Sequence, residues 1–118
     1  MNGFVAVALG AFGAHGLQRW LAGAEALERR LAWWQTASQY HLTHALALGV
    51  AAYLASREPG VGKIAGVCFQ IGILLFSGSL YAMTLSGARW LGAVTPFGGL
   101  ALLGGWAAVA ASGYRLLK

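Results

Sequence analysis

The sequence predicts an all-helical integral membrane protein: an antiparallel, up-and-down bundle of four transmembrane helices in one domain over residues 1–118. Hydrophobic residues make up 58 % of the chain and charged residues only 9 %, against about 25 % charged in soluble proteins. The charges leave four uncharged runs, at residues 1–18, 31–56, 64–88 and 90–114. Roughly 20 apolar residues suffice for a helix to cross the bilayer, where lipid offers no partner to unpaired backbone groups.

Each element follows from one of these runs and from the residues that interrupt them. The predicted spans cover about residues 2–21, 33–55, 62–86 and 91–114. Between the first two, the segment AEALERRLA at about 24–32 has strong helix formers and four charges, which predicts a short amphipathic helix lying in the interface. Pro59-Gly60 ends the second span, and the short connections require neighbouring helices to be antiparallel. A cleaved signal peptide over 1–24 is disfavoured, because Met1 to Gln18 contain no Lys or Arg.

The net charge of +5 does not indicate a nucleic-acid-binding protein. The eight basic residues are scattered over the predicted helix ends beside Trp and Tyr, as expected for side chains that anchor helices at the two membrane surfaces. They divide four and four between the two faces, so the charges alone do not set the orientation. The expected partners are membrane lipids and either a second copy of the chain or a larger membrane complex, with no nucleic acid.

Glycines at helical spacing predict close packing between helices. Gly10, Gly13 and Gly16 leave a groove along the first helix, and Gly98 and Gly99 thin the fourth. Helices in lipid associate through such close contact, because lipid tails are as apolar as the side chains. The same groove also suits a dimerisation face.

Polar side chains of different spans are predicted to lie at one depth. His15 lies about 6 Å and His41 about 4–5 Å from the middle of the bilayer, both toward the 19–32 connection. Polar groups at membrane depth face the bundle interior or a wet cavity. The sequence therefore predicts a polar pocket in this half of the bundle. Its candidate residues are His15, Gln39, Tyr40, His41, His44, Ser77, Ser79, Tyr81 and Thr95.

Three interpretations of the histidines remain open. The first is a network of hydrogen bonds between helices, and the second is a pocket for a small molecule, a quinone or a lipid headgroup. The third is a metal site, because His41 and His44 share one helix face and His15 adds a third nitrogen, although no carboxylate lies nearby. Proton transport is weaker, since no buried acid accompanies the histidines. No nucleophile motif or phosphate-binding loop is present, so we expect neither an enzyme nor a bound cofactor or metal.

Four stretches of the chain resemble a known family. They are LGAFGAHGL (9–17), W-x-TA-x-QYHLTHALAL (34–48), LFSGSLYAMTLSG (75–87) and TPFGGLALLGGW (95–106). These motifs are similar to those of the YgdD-like proteins, small four-helix bacterial inner-membrane proteins classed as a domain of unknown function, with small eukaryotic transmembrane relatives. By position, the resemblance adds Gly78, Pro96 and Trp106 to the residues above, whereas His41 replaces a residue that is commonly Gln. It implies a bacterial plasma-membrane protein with both termini in the cytoplasm, and it supplies no activity.

Two functions follow as hypotheses. The leading one is a non-enzymatic accessory or structural subunit that packs against membrane partners, because the chain is small, rich in glycine and poor in reactive groups. The alternative is a ligand-binding or transport module that uses the polar half of the bundle.

Overall fold

The structure, a computed structural model, describes all 118 residues and consists of helices and short turns without strands, which confirms the all-helical part of the predicted fold class. The helices are α1 (Asn2–His15), α2 (Leu17–Trp20), α3 (Leu27–Arg57), α4 (Pro59–Gly72), α5 (Gly78–Ser86) and α6 (Thr95–Leu116). A π-helical segment, Ile73–Ser77, joins α4 to α5, and a 3-10 segment, Arg89–Ala93, leads into α6.

Two helical stretches are long and apolar enough to cross a membrane. They are Pro59–Ser86 and Arg89–Leu116, each of 28 residues. At about 1.5 Å per residue each stretch is roughly 42 Å long, more than the ~30 Å hydrocarbon core. The third and fourth predicted spans lie inside them. Asn2–His15 is a shorter apolar helix of 14 residues.

The segment at 24–32 does not form the separate interfacial helix that the sequence predicts. α3 begins at Leu27 and continues without a break to Arg57, so three of the four charged residues lie in its first turn and Glu25 precedes it. The physical reason is that no Gly or Pro lies between Leu27 and Trp34, and strong helix formers carry the helix onward. The short helix after α1 is instead α2, which begins after Gly16.

α3 is the central helix of the packing. It packs against α1, α4, α5 and the π-helical segment, while α6 packs mainly on α4. Along α3, Leu54 lies beside Gly62 at one end and Ala37 beside Ser77 further back, so α3 and the α4–α5 helix run in opposite directions. This arrangement leaves α1 at the edge, with Ala6 as its one buried residue.

The helices approach most closely at five glycines. A Cβ atom there would collide with Trp34 at Gly13, Ala55 at Gly62, Leu102 at Gly72, Phe76 at Gly98 and Phe69 at Gly105. Three other predicted packing positions do not bring a second helix so close. A Cβ at Gly10 would meet nothing within 4 Å, and at Gly78 and Gly99 it would find neighbours at 4.0 and 3.8 Å. A Cβ at Gly16, the residue that follows α1, would lie 2.9 Å from the Phe12 side chain of α1 and would meet no second long helix.

Large apolar side chains cover much of the outer surface, and six polar side chains are buried inside. The most exposed leucines of the long helices are 64–70 % accessible: Leu46, Leu74, Leu100 and Leu103. The buried polar side chains are His41, His44, Ser77, Ser79, Thr84 and Ser112. A soluble protein rarely exposes so continuous an apolar surface, whereas a protein surrounded by lipid requires it.

Candidate functional site

Both ring nitrogens of His44 are hydrogen bonded, Nδ1 within α3 and Nε2 to α6. The side chain is 5 % exposed; Nδ1 lies 2.7 Å from the carbonyl oxygen of Tyr40, and Trp106 Nε1 donates to Nε2 at 3.1 Å. A carbonyl only accepts and an indole N–H only donates, so these contacts fit the neutral ring with its hydrogen on Nδ1. In this arrangement His44 has no free lone pair to offer a metal or a ligand.

Aromatic rings surround this connection. Phe69 lies 5.7 Å from the His44 ring and 5.3 Å from the Trp106 ring, measured between centroids. Tyr40 stacks on Phe76 at 4.4 Å. His44 is therefore packed as part of the core as well as hydrogen bonded.

His41 pairs with Tyr81 on another side of α3. The His41 Nδ1 and Tyr81 Oη atoms are 3.4 Å apart, and the buried Nε2 atom of His41 has no hydrogen-bond partner. The Tyr81 ring packs on Trp34 at 4.6 Å, and Trp34 Nε1 donates to the carbonyl of Leu9 at 2.9 Å. This chain of contacts fastens α1 and α5 to α3.

Two serines at the start of α5, Ser77 and Ser79, bind different neighbours. Ser77 Oγ donates to the carbonyl of Ala37 in α3 at 2.9 Å, whereas the Ser79 hydroxyl lies 2.7 Å from that of Thr95 in α6. Residues two apart on a helix point about 200° apart, which is why the two hydroxyls face opposite helices.

Arg30 caps the end of α5. Its Nε donates to the carbonyl of Thr84 at 2.6 Å, and its Nη2 to that of Leu85 at 2.8 Å. The last carbonyls of a helix have no partner within it, so a guanidinium there satisfies groups that lipid could not. In return, Thr84 Oγ1 lies 3.0 Å from the carbonyl of Arg30.

The predicted polar residues therefore form several separate contacts instead of one pocket. His41 and Tyr81 meet, Ser79 and Thr95 meet, and Ser77 and His44 each bind elsewhere. His15 joins none of them, because its side chain is exposed. Gly13 faces Trp34, and His15 is rotated by about 200° from Gly13, so it points away from α3.

Gln39 and Tyr40 also lie on the outside, and Tyr40 is 43 % exposed. The three histidines do not come together, and the structure groups no three side chains able to hold a metal ion.

Sequence reasoning missed Arg30 and Trp34, which it assigned to the membrane surfaces, and Thr84. It also placed Trp106 only through the family resemblance. A signal was available for Trp106, since it lies near the middle of an uncharged run and an indole N–H away from water needs an acceptor. No pattern indicated that Arg30 would bind the carbonyls of a helix 54 residues away.

One groove runs between α3 and α6 beside the His44–Trp106 contact. It has a volume of about 600 Å³ and is mostly apolar. Tyr40, Phe76, Pro96 and Leu103 line it together with the two bonded residues. Its size suits an acyl chain or a flat aromatic ligand.

A helical chain with membrane-capable spans and an apolar exterior falls in the class of helical membrane proteins. The chain belongs to the family described as "Protein of unknown function (DUF423)", which matches residues 9–99. The resemblance predicted from the four motifs is thereby confirmed.

Several relatives cover nearly the whole chain. It is 41 % identical to the UPF0382 membrane protein YwdK of Bacillus subtilis, over 99 % of this chain and 93 % of YwdK. It is 40 % identical to the UPF0382 inner membrane protein YgdD of Escherichia coli, over 100 % of this chain and 87 % of YgdD. A UPF0382 membrane protein of Haemophilus influenzae is 36 % identical, over 98 % of this chain and 89 % of its own length. No solved structure matches the chain.

Proposed function

We propose that this protein crosses the bacterial inner membrane four times, with both termini in the cytoplasm. The names of its relatives support a location in the inner membrane. The opposite directions of α3 and the α4–α5 helix support successive crossings. α1 and α2 together, from Asn2 to Trp20, extend about 28 Å and are long enough for the first crossing.

Cysteine labelling tests this topology. In a Cys68→Ala background, we expect an impermeant maleimide to label Glu25→Cys in intact spheroplasts, because the α2–α3 connection would lie outside the cell. Lys118→Cys and Gly60→Cys should be labelled only after the cells are opened. Equal labelling of Glu25→Cys and Lys118→Cys in intact cells would contradict four crossings.

We further propose a non-enzymatic role as an accessory or structural subunit that packs against another membrane chain through α1. The observation that carries this proposal is the incomplete burial of α1. Of its 14 residues only Ala6 is buried, while Phe4 is 80 % and Val7 61 % exposed. Gly10 leaves open space on the helix, into which a neighbouring backbone can pack.

The hydrogen bonds of the interior support a structural role over a catalytic one. His44, Ser77, Ser79 and Thr84 each bind an atom of a neighbouring helix. Each of these contacts joins two helices, so these side chains hold the bundle together.

The alternative function is ligand binding in the groove between α3 and α6. It is favoured by the volume of about 600 Å³ and by the exposed Tyr40 at its edge. A quinone ring or other small apolar molecule would stack on the aromatic side chains and hydrogen bond to the Tyr40 hydroxyl.

One photo-crosslinking experiment separates the two functions. A benzophenone amino acid is placed at Val7 on α1, at Leu103 in the groove, and at Leu74 as a control of similar exposure. In native membranes we expect Val7 to give an adduct with a protein and Leu74 to give adducts with lipid only. A small-molecule adduct at Leu103, with no protein adduct at Val7, would favour the ligand-binding alternative over the subunit role.

A further inference from the structure

A second cavity lies at the end of the molecule where α3 begins and the turn after α5 ends. It has a volume of about 470 Å³ and is lined by charged and polar residues, among them Arg30, Arg89, Glu25 and Trp33. It is separate from the groove between α3 and α6 and contains none of the polar residues predicted from the sequence.

Arg30 presents a fixed set of hydrogen-bond donors to this cavity. The carbonyls of Thr84 and Leu85 take two of the five N–H groups of its guanidinium, which leaves three without those partners. Gly87, which has a left-handed backbone with φ of 74°, lines the cavity. A Cβ there would be 3.7 Å from Arg30 Nη1, so that nitrogen lies beside the opening.

Arg89 provides the second positive charge. Its side chain is exposed and makes no hydrogen bond or ion pair within the protein, and neither does Glu25, the one acid of the cavity. Ser86 uses its hydroxyl within its own turn, donating to the carbonyl of Ala82 and accepting from the amide of Ala88. The cavity thus has two guanidinium groups against one carboxylate, an excess of one positive charge that favours an anionic ligand.

The position of the cavity favours a lipid over a dissolved anion. Trp33 lines it and Trp90, 72 % exposed, follows Arg89 in the chain. Tryptophan is enriched at the level of lipid headgroups, where basic pockets between helices bind phospholipids. Leu85, 41 % exposed, offers an apolar surface to the acyl chains directly beside Ser86.

We infer that this cavity binds the headgroup phosphate of one anionic phospholipid, such as phosphatidylglycerol. The planar guanidinium of Arg30, held by the backbone of α5, meets two phosphate oxygens, and Arg89 closes over the same group. The inference rests on the proposed membrane crossings, which cysteine labelling tests separately.

Native mass spectrometry of the whole protein in detergent, titrated with phosphatidylglycerol or phosphatidylethanolamine, measures this binding. We expect one phosphatidylglycerol to be retained in preference to phosphatidylethanolamine, and Arg89→Gln to weaken its retention about tenfold. Arg29→Gln is the matched control, because Arg29 is exposed on the same turn of α3 but does not line the cavity; it should change retention less than about twofold. Glu25→Gln should retain phosphatidylglycerol as well as the wild type or better.

Three results would overturn the inference. Equal losses in Arg89→Gln and Arg29→Gln would mean diffuse attraction without a site. Displacement of the lipid by millimolar inorganic phosphate would mean a site for the free anion. Preference for phosphatidylethanolamine, lost in Glu25→Gln, would mean that the carboxylate selects an ammonium headgroup. Arg89 has no hydrogen-bond or ion-pair partner within the protein, so Arg89→Gln should leave the unfolding temperature unchanged. That measurement checks that the variant is folded.

Discussion

Gly98→Ala is expected to lower the stability of the folded protein by about 3 kcal/mol, even though alanine favours a helix by about 1 kcal/mol over glycine. The added Cβ would collide with backbone atoms of Leu75 and Phe76, and the backbone of a packed helix cannot turn aside as a side chain can. α6 and the π-helical segment must separate to accept it, which breaks the Ser79–Thr95 contact nearby. The midpoint of thermal unfolding in detergent measures the loss.

Gly99→Ala is the matched control for this prediction. It places the same methyl group one residue further along the same helix, where the nearest atom is Phe76 Cδ2 at 3.8 Å. We expect an unchanged or slightly higher midpoint. Equal melting temperatures for the two variants would show that α6 is not held against Phe76 as the structure describes.

His44→Ala should destabilise the protein by about 3 kcal/mol, because it opens a cavity beside Phe69 and leaves the Trp106 N–H without its acceptor. Trp106→Phe removes the same hydrogen bond from the other side while keeping an aromatic ring. The double variant should lose less stability than the sum of the two single losses, by about 0.6 kcal/mol or more. That difference is the usual size of a hydrogen bond between membrane helices.

Unfolding of the four proteins in mixed micelles provides the double-mutant cycle. Thr43→Ala serves as its control, because the Thr43 hydroxyl is exposed and binds only the Gln39 carbonyl of its own helix. It should shift stability by less than about 0.5 kcal/mol. Strictly additive losses for His44 and Trp106 would mean that the two rings do not interact.

Helix ends were predicted more accurately where Pro or Gly breaks the chain than where charged residues interrupt an apolar run. Pro59 starts the α4–α5 helix, and the Gly87 turn ends it, near where the sequence predicts. The charged segment before Trp33 does not end a helix. Charged residues indicate where the chain leaves the hydrocarbon core, but they do not interrupt hydrogen bonding along a helix. α3 therefore runs straight through the predicted interface.

For the polar side chains, the sequence predicts the depth in the membrane but not the direction in which each side chain points. His41 and Tyr81 come from two predicted spans and do meet, as do Ser79 and Thr95. The sequence predicts nearly the same depth for His15 and His41, yet His15 is exposed on the side of α1 that faces away from α3. The glycines divide in the same way, since Gly98 meets a backbone and its neighbour Gly99 does not.

The sequence by itself determined the helical class, the family and the two membrane-capable stretches. These properties depend on composition and on hydrogen bonds within a single helix, which lipid enforces segment by segment. Only the tertiary structure decided which nitrogen of His44 meets Trp106, why Arg30 lies at the end of α5, and which glycines touch another chain segment. The rise per residue fixes the height of a side chain from its number, but its direction depends on how each helix is rotated against its neighbours, and packing alone sets that rotation.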